Sequence, residues 1–217
     1  MIYLEKRKGG DFVTMLKQVF CYLTGQVYVD EMLLIHQGKR LLHISDTPRY
    51  LYPALARLIE KLKPEYIVHS GDLVDNIKLQ MYPYSLVYYQ KDVQILLSML
   101  KSSSAEKIFI AVGNHDHAPF IHQIAGRIHI IDLYEQVTIE GISIAISHFP
   151  KPILSAPSEI NLFGHDLTLK THSNQEQLFL NGISNIHLIE LDSKIVHSLN
   201  YPSGTDDQRL GKSRIRF

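Results

Sequence analysis

The sequence predicts an α/β fold on three observations. Short apolar, β-branched runs recur along the chain, stretches with helical spacing of apolar residues separate several of them, and the runs share one kind of ending. LLHIS stops at Asp46, YIVHSG at Asp72, IFIAVG at Asn114-His115, ISIAIS at His148 and INLFG at His165. At 217 residues the chain is long enough for one well-buried domain, and two would be cramped.

Taken in order, Gly9-Gly10-Asp11 reads as a helix start with Asp11 as N-cap, after which Phe12, Leu16, Val19, Phe20 and Leu23 fall on one helical face. Such a stripe is expected to pack on the body of the protein, with a dimer contact as the alternative. QVYVDEMLLIH reads as a hairpin turning at Asp30-Glu31, and Gln37-Gly38-Lys39 turns into the strand that ends at Asp46. Leu51, Leu55, Leu58 and Leu62 are spaced four, three and four, predicting a helix with Pro53 in its first turn and Pro64 at its close. A longer helix is expected over 84–101, with Leu86, Tyr89, Val93, Leu96 and Leu100 on one side, and a shorter one near Pro119. The last ten residues hold Arg209, Lys212, Arg214 and Arg216 with no acid. They read as a frayed basic tail, a phosphate or partner contact being the alternative.

Composition narrows the function classes. Lys+Arg and Asp+Glu are both 22, so no global field favours nucleic acid or an anionic membrane. The single cysteine, Cys21, rules out an internal disulfide framework and fits a reducing compartment. The start MIYLEKRKGGDF has no apolar core after its charges, so no secretory signal is read and a cytoplasmic location is expected. Residues 12–29 are fairly apolar, but Lys17, Gln18 and Gln26 interrupt them, against a membrane span. Twelve histidines modestly favour a metal site.

The strand endings carry the chemistry. Sites in open α/β sheets form beyond the carboxyl ends of the strands. One Asp or Asn at such an end is ordinary turn chemistry. Five endings drawn only from Asp, Asn and His are hard to assign to turns, and divalent cations take these oxygen and imidazole ligands. A metal centre is therefore expected, with Gly71, Gly113 and Gly164 letting backbone approach closely before the ligands.

HISD at 43–46, GDLVD at 71–75, GNHD at 113–116, SH at 147–148 and GH at 164–165 resemble, in order and spacing, the motifs of calcineurin-like metallophosphoesterases. The resemblance covers about residues 40–190. It implies two mixed β-sheets packed face to face and flanked by helices, divalent metals at the strand ends, and phosphoester hydrolysis. The organisation expected with it is an N-terminal helix and hairpin extension over 1–38, a metallophosphoesterase-like domain over 39–203 and a basic tail over 204–217.

The chain departs from the family's pattern at two positions. The first motif, Asp-x-His, reads Asp46-Thr47-Pro48, and the last, Gly-His-x-His, reads Gly164-His165-Asp166-Leu167. In an extended segment residues i and i+2 point the same way, so each absent histidine would have faced the metals. By the family's pattern one metal takes Asp46, Asp72 and histidines at 48 and 167, while the other takes Asp72, Asn114, His148 and His165. Both losses fall on the first site, and the second is complete.

The resemblance implies one or two divalent ions per chain, Mn, Fe or Zn, with Asp46 touching the surviving metal or holding the nucleophilic water. It gives His115 the role of stabilising the phosphoryl charge or protonating the leaving oxygen, with Asp116 orienting its ring and raising its pKa. Asp166, Asp75, His117 and His172 are the nearest candidates to repair the first site. His43 and His69 are expected in the core or behind the ligands, and His36, His122, His129, His187 and His197 in structural positions. The expected partner is a phosphoester, with no base-reading or lipid-binding element evident. Tyr84, Tyr88 and Tyr89 are read as packing residues before pocket residues. The competing reading is a non-catalytic scaffold or ligand-binding module on the same fold.

Overall fold

The computed structural model describes residues 3–4, 12–35, 38–174 and 176–211. Asp11, His36, Gln37, Lys212, Arg214 and Arg216 lie outside the described residues, and with them the expected N-cap and most of the basic tail. The first half of the chain contains β1 (Tyr3–Leu4), α1 (Phe12–Leu23), β2 (Arg40–Ile44), α2 (Tyr52–Leu62), β3 (Tyr66–His69), α3 (Leu86–Lys101) and β4 (Lys107–Ala111). It continues through α4 (Ala118–Ile124), β5 (His129–Ile131), β6 (Tyr134–Ile139), β7 (Ile142–Ser147), α5 (Pro150–Ser155) and β8 (Ile160–Phe163). The last elements are β9 (His172–Ser173), β10 (Leu178–Asn181), β11 (Ile186–Glu190), β12 (Ile195–Leu199) and α6 (Thr205–Arg209).

The strands form two mixed sheets, ordered β1-β12-β11-β2-β3-β4-β5 and β6-β7-β8-β10-β9. Residues of alternate parity on each strand of the first sheet face opposite ways. Leu42, Ile44, Ile67, Ile108 and Ile110 join the core under α2 and α3. Leu41, Val68, Phe109 and Ala111 meet Ile144, Ile146, Leu162 and Leu180 of the second sheet. Ile153 of α5 covers the far side with Phe163 and Phe179. The central strands are thus covered on both faces, which is why LLHI, YIVH and IFIA show no polar alternation.

The periodicities of α2 and α3 place their faces as expected. Leu55, Leu58 and Leu62 of α2 are buried, Pro53 sits in its first turn, and Lys63 ends it in the left-handed conformation at φ 46° just before Pro64. Tyr89, Val93, Leu96, Leu97 and Leu100 form the buried side of α3, whereas Tyr84 and Tyr88 are exposed. Strands β2, β3 and β4 run parallel in register, Ile44 opposite His69 and His69 opposite Ile110. Their carboxyl ends therefore reach one edge together.

Three expectations fail. The hairpin over QVYVDEMLLIH does not form: residues 26–30 pair with no strand, and Glu31–Leu34 is a short 3₁₀ helix. The reason is Asp30, whose carboxylate accepts from Met32 N at 3.0 Å and caps a helical turn. The apolar stripe of α1 does not pack on the body. No α1 residue is buried, and the half-buried ones are Thr14, Gln18 and Cys21. The sheets and α2, α3 and α5 already close the core without it. Finally, Arg209 is not part of a frayed tail. It is buried at the end of α6, where its guanidinium serves three main-chain carbonyls.

His43, His69 and His187 are fully buried, with His43 and His187 stacked 5.7 Å apart between paired strands. Burial pushes His187 down to about 4, His69 to about 3 and His43 well below its ordinary value. The native state therefore keeps them neutral while the unfolded chain takes up protons below about 6.5. Stability is full above that pH and lost as pH falls toward the native values. Denaturant titrations from pH 7 to 4 are expected to show this loss, and His187→Gln should reduce the slope by about one proton.

Candidate metal centre

Each ligand position is fixed by main-chain bonds between neighbouring strand ends. Asp46 N donates to Gly71 O at 2.9 Å and Thr47 N to Asp72 O at 3.0 Å. Asp46, Asp72 and His165 all adopt left-handed backbone, at φ 51°, 54° and 69°. Non-glycine residues rarely accept this conformation, and here the surrounding bonds enforce it. Two glycines allow the close approach. A Cβ on Gly113 would stand 2.2 Å from Asp72 Oδ1, and one on Gly164 would stand 2.4 Å from Asp46 Oδ2.

The Asp46 turn is clamped from behind by residues the sequence reading missed. Arg209 Nε donates to Asp46 O at 2.7 Å, Nη2 to Ser45 O at 3.1 Å and Nη1 to Ile183 O at 2.7 Å. Its guanidinium lies 4.3 Å from the ring centre of Tyr201, whose hydroxyl donates to Gly182 O at 2.7 Å. No local pattern marks Arg209, because its partners on β2 are more than 160 residues away in sequence.

The expected ligands of the complete site come together. His148 Nδ1 lies 2.8 Å from Ser70 O, and a carbonyl only accepts, so Nδ1 carries the proton. The Nε2 lone pair then faces Asn114 Oδ1 at 3.1 Å, His165 Nδ1 at 3.2 Å and Asp72 Oδ2 at 3.5 Å. A histidine ligand whose other nitrogen donates to a main-chain carbonyl is the usual arrangement at protein metals. Asp72, His148 and His165 offer atoms within 4.8 Å of one another.

Charge points the same way. Burial pushes the Asp72 carboxyl well above its ordinary value, and the nearby carboxylates of Asp46, Asp116 and Asp75 push it further. A divalent cation among these oxygen and imidazole donors would relieve both the crowding of acceptors and the repulsion. The residues fit such an ion, with Asp72, Asn114, His148 and His165 as its holders.

Asp46 stands beside this set. Its Oδ2 accepts from Ser45 Oγ at 2.5 Å and from His165 N at 3.2 Å. His115 N donates to Asp72 Oδ1 at 2.9 Å, which brings its ring to the rim. Asp116 does not orient that ring. Its carboxylate accepts from Gly113 N, Asp72 N, Leu73 N and Tyr89 Oη at 2.8–2.9 Å, so it ties two ligand loops to α3. Nor is the His115 pKa raised, since burial, Lys78 and His148 push it down to about 4.

Of the candidates to repair the first site, Asp75 lies beside Asp72. Asp72, Asp75 and His115 offer atoms within 4.8 Å of one another, and Asp75 pairs with Lys78. Burial and the Asp46 carboxylate push Asp75 up to about 7. Asp166 instead accepts from Thr168 N at 2.8 Å, His117 caps α4 through Phe120 N at 3.2 Å, and His172 is exposed and stacks on Phe179. Pro48 is buried at φ −70° and starts the 3₁₀ turn before α2, while Leu167 is 46% exposed with no donor atom. Among the remaining histidines, His122 pairs with Asp132, His129 with Glu135 and His197 with Glu190.

No curated protein shows significant similarity to the chain. Among solved structures, an archaeal phosphodiesterase is similar at 16% identity, with a TM-score of 0.54 over 73% of this chain and 98% of its own. YfcE, a phosphoesterase from E. coli, aligns at 14% identity and TM-score 0.46 over 75% of this chain and 98% of its own. Vacuolar Protein Sorting 29 from Cryptosporidium parvum aligns at 16% and 0.42 over 76% and 98%. The archaeal structure supports the fold of two mixed sheets with flanking helices. Among the described residues no helix is long and apolar enough to cross a membrane. The family model for calcineurin-like phosphoesterases matches residues 39–208, most of the chain and every ligand position above, and the chain belongs to that family.

Proposed function

We propose that the chain is a metal-dependent hydrolase of a phosphate mono- or diester that works from one complete metal site. The observation that carries this reading is the convergence of Asn114 Oδ1, His165 Nδ1 and Asp72 Oδ2 on the Nε2 lone pair of His148. A divalent cation, Mn, Fe or Zn, held by Asp72, Asn114, His148 and His165, would supply polarisation of the phosphoryl oxygens and activation of a water.

The chain's own groups do the rest. Asp46, held on Ser45 Oγ and His165 N, would serve as a proton acceptor beside the ligand set. His115 is neutral at pH 7 and offers a ring N–H to the phosphoryl or leaving oxygen. Asp75 lies near it, within the same group of donor atoms as Asp72. A groove of 420 Å³ lined by Leu79, Gln80, Pro83, Leu86 and Asn114 opens next to the centre and suits the organic part of an ester.

A second reading, a binding module without catalysis, is favoured by Pro48 and Leu167, neither of which has a lone pair for a metal. Elemental analysis with turnover of a nitrophenyl phosphodiester in added manganese separates the two. The hydrolase reading expects one tightly held transition metal per chain, lost in His148→Ala, together with measurable turnover. Metal-free protein without turnover would establish the binding module.

His115→Asn is expected to keep its metal while kcat falls about 100-fold or more. Unchanged kcat would remove His115 from the chemistry. Pro48→His combined with Leu167→His is expected to raise metal content toward two per chain and to increase turnover, with each single change nearly silent. If the double variant folds and still holds one metal at wild-type rate, the first site has drifted beyond repair by two imidazoles.

A further inference from the structure

The segment that follows β3 is tied down on two sides of the centre. Asp75 N donates to Thr47 O at 3.1 Å, next to Pro48, and Asn76 Oδ1 accepts from Arg49 N at 2.7 Å. Further on, Gln80 Oε1 accepts from Asn114 Nδ2 at 2.8 Å. The segment thus runs from the turn that lacks a ligand to a ligand of the intact set. Between these ties Met81 N and Tyr82 N both donate to Lys78 O, at 2.9 and 2.8 Å, which fixes the turn carrying Lys78. The Lys78 ammonium pairs with the Asp75 carboxylate, and Asp75 offers an atom within 4.8 Å of donors on Asp72 and His115. An ammonium has three N–H donors. Among the described residues Asp75 is the one hydrogen-bond partner of Lys78 Nζ, and the lysine side chain is 23% exposed against 2% for Asp75. Two donors and an opening to solvent are left. Burial holds His115 and His165 below their ordinary values, and the Lys78 charge pushes both the same way, so it reaches the rim and the ligand set together.

A cation at this place has a task. A two-metal centre brings positive charge to both the attacking and the leaving side of a phosphoryl group. Pro48 and Leu167 have no lone pair, so a first ion would lack two of its holders. The carboxylates of Asp46, Asp72 and Asp75 meanwhile repel an anionic ester. Arg209 does not answer them. Its guanidinium is buried behind the Asp46 turn, on three main-chain carbonyls and the Asp206 carboxylate. Lys78 combines contact with the acidic group and access for an incoming anion. A lysine ammonium is a common point charge for phosphate.

We propose that the Lys78 ammonium binds a phosphoryl oxygen of the substrate and supplies positive charge that a first metal would otherwise bring. This rests on the reading of the centre as a phosphoester site, and phosphate binding measured apart from turnover tests it separately. Inorganic phosphate is titrated calorimetrically into manganese-loaded protein freed of excess metal. The wild type is expected to bind it, and Lys78→Met to bind it about tenfold or more weakly at unchanged metal content. Lys78→Arg, which keeps the charge, should retain most of the affinity. Asp75→Asn with Lys78→Met removes the pair without leaving a buried carboxylate alone, and should bind phosphate as weakly as Lys78→Met. Wild-type protein that takes up no phosphate overturns the proposal, as does full affinity in Lys78→Met. Wild-type affinity in the paired variant also overturns it, since Lys78 would then serve Asp75 alone. Phosphate binding that depends on Lys78 in a protein without turnover would refute hydrolysis and leave the Lys78 site standing.

Discussion

The structure depends on one electrostatic constraint: four carboxylates, Asp46, Asp72, Asp75 and Asp116, are brought together at the buried edge of a sheet. Each raises the cost of charging another, as the elevated Asp72 and Asp75 show. The fold meets this constraint with a separate device at each position. Asp116 takes four donors, Asp75 takes Lys78, and Asp46 takes a serine hydroxyl and a main-chain amide. Asp72 is left with a single amide from His115 and an imidazole lone pair, and that deficit is what a divalent ion would fill.

The same edge explains the positive φ angles. Turning the chain sharply after β2, β3 and β8 aims Asp46, Asp72 and His165 inward, and the turns hold because neighbouring strand ends exchange main-chain bonds. Arg209 supports one of these turns from behind while its own buried charge is met by the Asp206 carboxylate at 2.9 Å, three carbonyls and the face of Tyr201. Removing the guanidinium would take a donor from each of those carbonyls in a place that excludes water.

The departures from the family's ligand pattern have local consequences. Pro48 does structural work as the start of the turn into α2, and Leu167 projects to solvent. Near Pro48, Asp75 N donates to Thr47 O at 3.1 Å and the Asp75 carboxylate pairs with Lys78, while Asp116 accepts from Asp72 N and Leu73 N.

The sequence by itself determined the five strands that stop at Asp46, Asp72, Asn114, His148 and His165, their polar endings and the buried faces of α2 and α3. All of these are short-range signals: period two or 3.6, a polar stop, a glycine before it. The tertiary structure decided the rest. The bond from Asp72 N to Asp116 and the clamp of Arg209 on Asp46 join residues 44 and 163 positions apart, which no local pattern encodes. Strands covered on one side, such as β6 and β12, carry a weaker apolar signal than β2 or β3 and were harder to read. Asp30 looked like a hairpin turn because the same residue type caps helices and ends strands, and the absence of a partner strand settled it. Helix α1 marks the limit most plainly. Periodicity shows that a helix has an apolar face, but whether that face turns inward depends on whether the core still has room for it.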